Sequence, residues 1–95
     1  MIILWLVAAE HDLEALTDYL TEDNPKTGLE IFNKIRQSVE KLKAYPFLGR
    51  EGRVERTREL VIPNLPYIVV YSLTKNIRIL AILHTSRKWP DYFDK

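Results

Sequence analysis

The apolar positions of the chain change period once. Residues 2–7, Ile-Ile-Leu-Trp-Leu-Val, are continuously apolar and rich in β-formers, the pattern of a buried strand. Ala9, Leu13, Leu16 and Leu20 then follow at steps of four, three and four, which draws one stripe along a helix. Glu10, Asp12 and Glu14 fall in its early turns, where the helix dipole favours acids. Asp23-Asn24-Pro25 ends it; Asn24 suits the N-cap of the next helix and Pro25 its first turn. The second helix is predicted over residues 25 to about 45. Leu29, Phe32, Ile35, Val39 and Leu42 form its inner stripe, Lys34, Lys41 and Lys43 lie outside it, and Pro46 stops it. So short a turn between two helices predicts antiparallel packing.

Beyond Pro46 the apolar residues come in short blocks. Strands are predicted over residues 54–62, 67–73 and 77–83, joined by Pro63-Asn64-Leu65-Pro66 and Thr74-Lys75-Asn76. Connections this short require an antiparallel meander, with the first strand added at one edge. Alternation assigns Ile77, Ile79, Ala81 and Leu83 to the face packed on the helices. It assigns Arg78, Leu80, Ile82 and His84 to a mixed, partly open face. Tyr67 and Tyr71 share one face and are assigned to packing. The expected fold class is α+β: two layers in the order β-α-α-β-β-β, with a helical hairpin packed on a mostly antiparallel four-stranded sheet. Residues 1–95 make one domain, with a short C-terminal tail from about residue 85.

Composition narrows the function classes. Formal net charge is +1, from 14 basic and 13 acidic side chains, so any nucleic-acid surface has to be a local patch. There is no cysteine, which removes disulfides and thiolate chemistry and permits a cytoplasmic location. The apolar opening lacks a basic start and breaks at Glu10-His11-Asp12, too short for a membrane span, so no membrane partner is expected. Two histidines far apart, with no acidic residue at ligand spacing, give no metal motif. No phosphate loop, nucleophile elbow or dinucleotide fingerprint occurs, and no cofactor is expected.

Two stretches carry candidate chemistry. Between Gly49 and Leu60 four arginines, Arg50, Arg53, Arg56 and Arg58, fall within nine residues. Guanidinium groups grip phosphates or carboxylates bidentately. Glu51, Glu55 and Glu59 interleave with them, so a solvated, charged strand edge that discourages aggregation is the plainer account. The second stretch begins at His84. With Arg87 nearby it could act as a general acid or base, and a cation beside it would favour the neutral form; a hydrogen-bonded structural histidine is the plainer account. Trp89, Tyr92 and Phe93 follow and could stack on bases or fill an interface.

The order of these motifs resembles a known family. Ala9, Asp12, Leu13, Leu16 and Tyr19 are followed by Asn24-Pro25, then Pro46-Phe47-Leu48-Gly49-Arg50 and Arg58-Glu59-Leu60-Val61. Pro66-Tyr67-Ile68-Val69-Val70-Tyr71 and Ile82-Leu83-His84 complete the set. Together they resemble the RelE/ParE superfamily of bacterial toxins of type II toxin–antitoxin systems, over nearly the whole chain. The resemblance implies a cognate antitoxin as partner and a target that is either DNA gyrase or the ribosome with its mRNA. RelE-like members cut mRNA without metal; ParE-like members share the fold and block gyrase. The nucleases commonly carry an arginine where Ile68 stands, and a Leu-His ending of the last strand is frequent on the ParE side. The resemblance therefore leans to ParE, a non-enzymatic inhibitor. On that reading Arg53, Arg56, Arg58 and Trp89 bind the target. On the nuclease reading His84 and Arg87 are catalytic. A member that has lost toxicity and only binds its antitoxin is the third alternative.

Overall fold

The computed structural model describes residues 1–86. A short strand β1 (Ile3–Trp5) leads directly into helix α1 (Val7–Asp23), which turns through Asn24 into helix α2 (Pro25–Glu40) and a 3-10 turn (Lys41–Lys43). Strands β2 (Arg50–Glu51), β3 (Arg58–Val61), β4 (Tyr67–Leu73) and β5 (Ile77–His84) follow. The sheet order is β1-β5-β4-β3-β2; β1 runs parallel to β5 and every other pair is antiparallel. The two-layer α+β arrangement is the expected one, with five strands instead of four because residues 50–51 form a strand of their own.

The helix boundary between α1 and α2 follows from the sequence. The Asn24 side chain accepts from the backbone N–H groups of Lys26 and Thr27, and Pro25 opens α2. The two helices close on Gly28, where an added Cβ would meet the Thr21 backbone nitrogen at 3.0 Å. Leu29, predicted inward, is 60% exposed, while Ile35, Val39 and Leu42 are fully buried. From α1, Ala9 and Leu13 enter the same core. Among the described residues no helix is long and apolar enough to cross a membrane.

Two strand boundaries differ from expectation for local reasons. The predicted strand over 54–62 begins only at Arg58, because residues 52–57 close a loop. Gly52 N–H donates to Thr57 O at 2.8 Å, Thr57 N–H to Val54 O at 3.1 Å, and the Thr57 hydroxyl to the same carbonyl at 2.6 Å. Val7 belongs to α1 and not to the first strand.

The third difference matters for the site. Tyr71 pairs with Ile79 but Val70 pairs with Ala81, so Leu80 is an extra residue in β5. Such a bulge shifts the side-chain alternation by one. Ile77 and Ile79 pack on the helices as predicted; beyond the bulge Ile82 does so instead of Ala81 and Leu83. Ala81, Leu80 and Leu83 join Ile68, Val70 and Val54 in a second apolar cluster on the other face.

Candidate functional site

The bulge carries His84 with it. Predicted to stand on an open face, His84 lies instead on the helix side, its ring edge-on to Tyr67 with centroids 5.5 Å apart. Its Nδ1 accepts from the Ser86 backbone N–H at 3.2 Å and lies 2.8 Å from the Ser86 hydroxyl. The ring borders a cleft of about 690 Å³ between α1 and the end of the sheet, lined also by Asp12, Leu16, Tyr19, Pro66 and Tyr67.

Asp12 is the residue that sequence reasoning passed over here. β1 leaves the sheet at Leu6, whose N–H donates to Ile79 O, so among the described residues β5 has no strand neighbour on that side beyond Ile79. The exposed backbone donor of Ile82 is met by the Asp12 carboxylate at 2.9 Å. Burial pushes the Asp12 carboxyl above its ordinary value, against the opposing pull of the Ile82 N–H and of His11. A signal existed: Asp12 stands three residues from Ala9 and four before Leu16, an acid set on the apolar stripe of α1.

The arginine segment is built differently from its sequence reading. Glu59 is 3% exposed and is the hub of the segment. It accepts from Arg50 Nε and Nη2 at 3.2 and 3.0 Å and from the Arg53 backbone N–H at 2.9 Å, with Arg53 Nε at 3.8 Å. Arg58 donates to Gly49 O through Nε at 2.9 Å and Nη2 at 2.6 Å, and to Phe47 O at 3.3 Å, with its guanidinium over the Phe47 ring. Arg58 therefore ties the loop after α2 to β3, a structural duty the arginine count does not reveal.

Tyr71 completes that tie from inside the core. Its hydroxyl donates to Pro46 O at 2.8 Å and accepts from Gly49 N–H at 2.9 Å. The ring leaves Gly49 no room for a side chain, since a Cβ there would meet Tyr71 Cε1 at 2.7 Å. The packing assigned to Tyr71 is thus accompanied by two hydrogen bonds.

Arg56 is the exception in the segment. It sits at φ 66°, a left-handed conformation that costs a branched or long side chain energy. Among the described residues it has neither an ion pair nor a side-chain hydrogen bond. It borders a groove of about 680 Å³ with Phe47, Glu51, Arg58, Ser72 and Arg78. Arg78 was not among the predicted site residues; it reaches this groove because β5 begins beside β4's end, opposite Ser72.

The structure thus brings Arg50, Arg53, Arg56 and Arg58 to one corner and His84 to another. Arg58 stands opposite Tyr71 on β4, and His84 opposite Tyr67 on its other side. Four residues along a strand span roughly 13 Å. Arg87, Trp89, Tyr92 and Phe93 lie outside the described residues. Among the described residues no group of three or more potential ligands could hold a metal ion.

Comparison with known proteins agrees with the fold. The family model described as "ParE toxin of type II toxin-antitoxin system, parDE" matches residues 3–89. Y4kP of Sinorhizobium fredii is 34% identical over 88 residues, covering 93% of this chain and 92% of that protein. Toxin RelE2 of Caulobacter vibrioides is 26% identical over 86 residues, covering 90% and 96%. A solved structure titled "Chromosomal ParDE TA system from P. aeruginosa" superposes with a TM-score of 0.83 at 27% identity, over 90% of this chain and 97% of that one. With its helical hairpin, its mostly antiparallel sheet and a sequence match over nearly its whole length, the chain belongs to the ParE toxin family of type II toxin–antitoxin systems.

Proposed function

We propose that the chain acts in the cytoplasm as a growth inhibitor that binds DNA gyrase without catalysis and is neutralised by a cognate antitoxin. The observation that carries this reading is the separation of His84 from Arg50, Arg53, Arg56 and Arg58. A metal-free nuclease needs its base and its phosphate-gripping cations on one phosphodiester. Here the imidazole faces Tyr67 and Ser86, while Arg58 is engaged with the carbonyls of Phe47 and Gly49. Ile68, at the position where the nucleases commonly place an arginine, is buried in the second apolar cluster. The antitoxin half of the proposal is supported by the solved relative, whose title names a ParDE toxin–antitoxin system.

Purified chain, tested beside a ribosome-programmed mRNA cleavage assay, is expected to inhibit gyrase supercoiling and to leave mRNA intact. Arg56→Ala should weaken inhibition about fivefold or more, the loss typical of one interface anchor. Trp89→Ala should do likewise, and His84→Gln should change little. Normal supercoiling with codon-specific cleavage overturns the proposal in favour of the His84–Arg87 site. A chain that binds its antitoxin yet inhibits neither process overturns it as well.

A further inference from the structure

Arg56, Arg58 and Arg78 line one groove, the one beside the loop of residues 52–57. Arg56 and Arg78 are exposed and, among the described residues, make no ion pair and no side-chain hydrogen bond. Arg58 spends Nε and Nη2 on the carbonyls of Phe47 and Gly49, and its Nη1 takes no part in those bonds. The strand register fixes the spacing of two of the three. Arg58 stands opposite Tyr71 on one side of β4, and Arg78 opposite Ser72 on the other. Two strand spacings put their backbones roughly 10 Å apart, a gap that two long side chains can close around one anionic group. Like charges gathered in one hollow repel, and a phosphate chain concentrates the matching charge in the same small space.

The rest of the lining is not that of a plain anion site. Glu51 and Glu55 also border the groove, exposed, and neither is paired with these arginines among the described residues. A carboxylate accepts from the hydroxyls of a ribose. The Phe47 ring is 72% exposed, with the Arg58 guanidinium 5.2 Å from its centroid, and an exposed aromatic face stacks on a nucleobase. The groove encloses about 680 Å³, inside the range of about 300–1,000 Å³ common for small-molecule sites. The same two acids argue against a nucleic-acid strand, which needs a continuous basic track along its backbone.

We propose that this groove binds a nucleoside triphosphate. Arg56, Arg58 and Arg78 hold the phosphates, Glu51 or Glu55 receives the ribose hydroxyls, and the base lies against Phe47. The site goes beyond the proposed inhibition of gyrase, because it is a property of the isolated chain. Arg56 is common to both, whereas Arg78 belongs to the nucleotide site alone.

The test titrates the purified full chain with ATP, with inorganic tripolyphosphate and with a single-stranded oligothymidylate, by calorimetry, and follows the amide spectrum by NMR. ATP should bind saturably at one site, shift the amides of residues 51–58 and 72–78, and raise the thermal midpoint. Arg56→Gln and Arg78→Gln should each weaken ATP binding about tenfold, the loss of one charge-assisted contact. Phe47→Ala, and Glu51→Gln combined with Glu55→Gln, should each lower the preference for ATP over tripolyphosphate severalfold. Arg36→Gln, at an exposed arginine over Trp5 and Phe32 and outside the groove, should bind ATP as the parent does. The substituted side chains are exposed, and an unfolding curve on each variant confirms that it is folded. Tripolyphosphate bound as tightly as ATP overturns the nucleotide in favour of a bare anion. Oligothymidylate bound more tightly than ATP overturns it in favour of a strand. ATP binding that persists undiminished in both arginine variants, or no saturable binding, overturns the site. Gyrase inhibition is read separately in the supercoiling assay, so failure of either reading leaves the other standing.

Discussion

The contact between Asp12 and Ile82 offers the sharpest check on how this fold closes. Among the described residues β5 has a strand on its β1 side only as far as Ile79, and α1 supplies the missing acceptor for Ile82 with a carboxylate 2.9 Å away. Asp12→Ala leaves that half-buried N–H without a partner, which costs about 1–3 kcal/mol. Alanine recovers part of this, about 0.5–0.7 kcal/mol, through its better helix propensity within α1. The net expectation is a loss of about 0.3–2.5 kcal/mol. For a domain of this size, with ~4–8 °C per kcal/mol, that is a fall in thermal midpoint of ~1–20 °C.

Asp12→Asn separates the hydrogen bond from the charge, because the amide oxygen still accepts while the buried anion is gone. The Asp12 carboxyl titrates above its ordinary 3.8 in the folded state, mainly because burial disfavours its charge. The folded protein therefore holds this proton more tightly than the unfolded chain does. The stability contributed by the protonated form is fully present below 3.8 and is lost as pH rises through the folded value. Asn loses nothing over that interval, so its stability relative to the parent should climb as pH rises from 3 to 7. Urea unfolding at fixed slope across that range reads the difference directly. Asp12→Ala at least as stable as the parent would refute the argument that the Asp12 carboxylate supplies the missing acceptor. Parallel pH curves for Asp12→Asn and parent would refute the burial argument.

Tyr71→Phe removes both hydroxyl bonds and leaves the buried Gly49 N–H unpaired; a loss of about 1–3 kcal/mol in urea unfolding is expected, with faster amide exchange through residues 46–51. Arg56→Gly relieves a left-handed residue at φ 66°, worth ~1–2 kcal/mol against ~0.5–1 for glycine's added unfolded-state freedom, so the midpoint should rise by a small but measurable amount. A midpoint that falls would show that Arg56 is tied to its surroundings after all.

The regular part of the fold was legible in the sequence because each element satisfied a single period. Asn24-Pro25 placed one helix boundary through a cap and a ring constraint, and the cap bonds are present as expected. The α1 stripe Ala9, Leu13, Leu16 and Leu20 is buried at its first two positions and half-buried at the last two. What escaped was whatever depended on two elements at once. Leu29 is assigned to the stripe of α2, but Gly28 is the residue that meets α1 at that level, and Leu29, about 120° around the helix from Ile35, is exposed. The bulge at Leu80 left no mark in β5, since Leu80, Ala81, Ile82 and Leu83 are all apolar and fit either face. Only His84, the one polar residue at the end of that run, reports which face it took. Nor does alternation explain how Glu59 in a charged stretch comes to be buried; two arginine side chains and one backbone N–H do.

These couplings decide how mutations in the arginine segment must be read. The sequence presents Arg53, Arg56 and Arg58 as equivalent target-binding cations. In the structure Arg58 holds the loop at Phe47 and Gly49, and Arg53 leans on buried Glu59. Removing either cation removes internal partners as well as any external contact, so a loss of toxicity in those variants conflates binding with the integrity of the β2–β3 corner. Arg56 differs, because its backbone conformation works against stability while its side chain has no internal ion pair or hydrogen bond among the described residues. A residue kept in an unfavourable conformation with its side chain presented outward is the arrangement expected where a contact is made with another molecule. Stability and target binding should accordingly move in opposite directions in Arg56→Gly and in the same direction in Arg58→Ala. That opposition, measured on the same two purified proteins by unfolding and by supercoiling inhibition, distinguishes a binding arginine from a structural one at this corner.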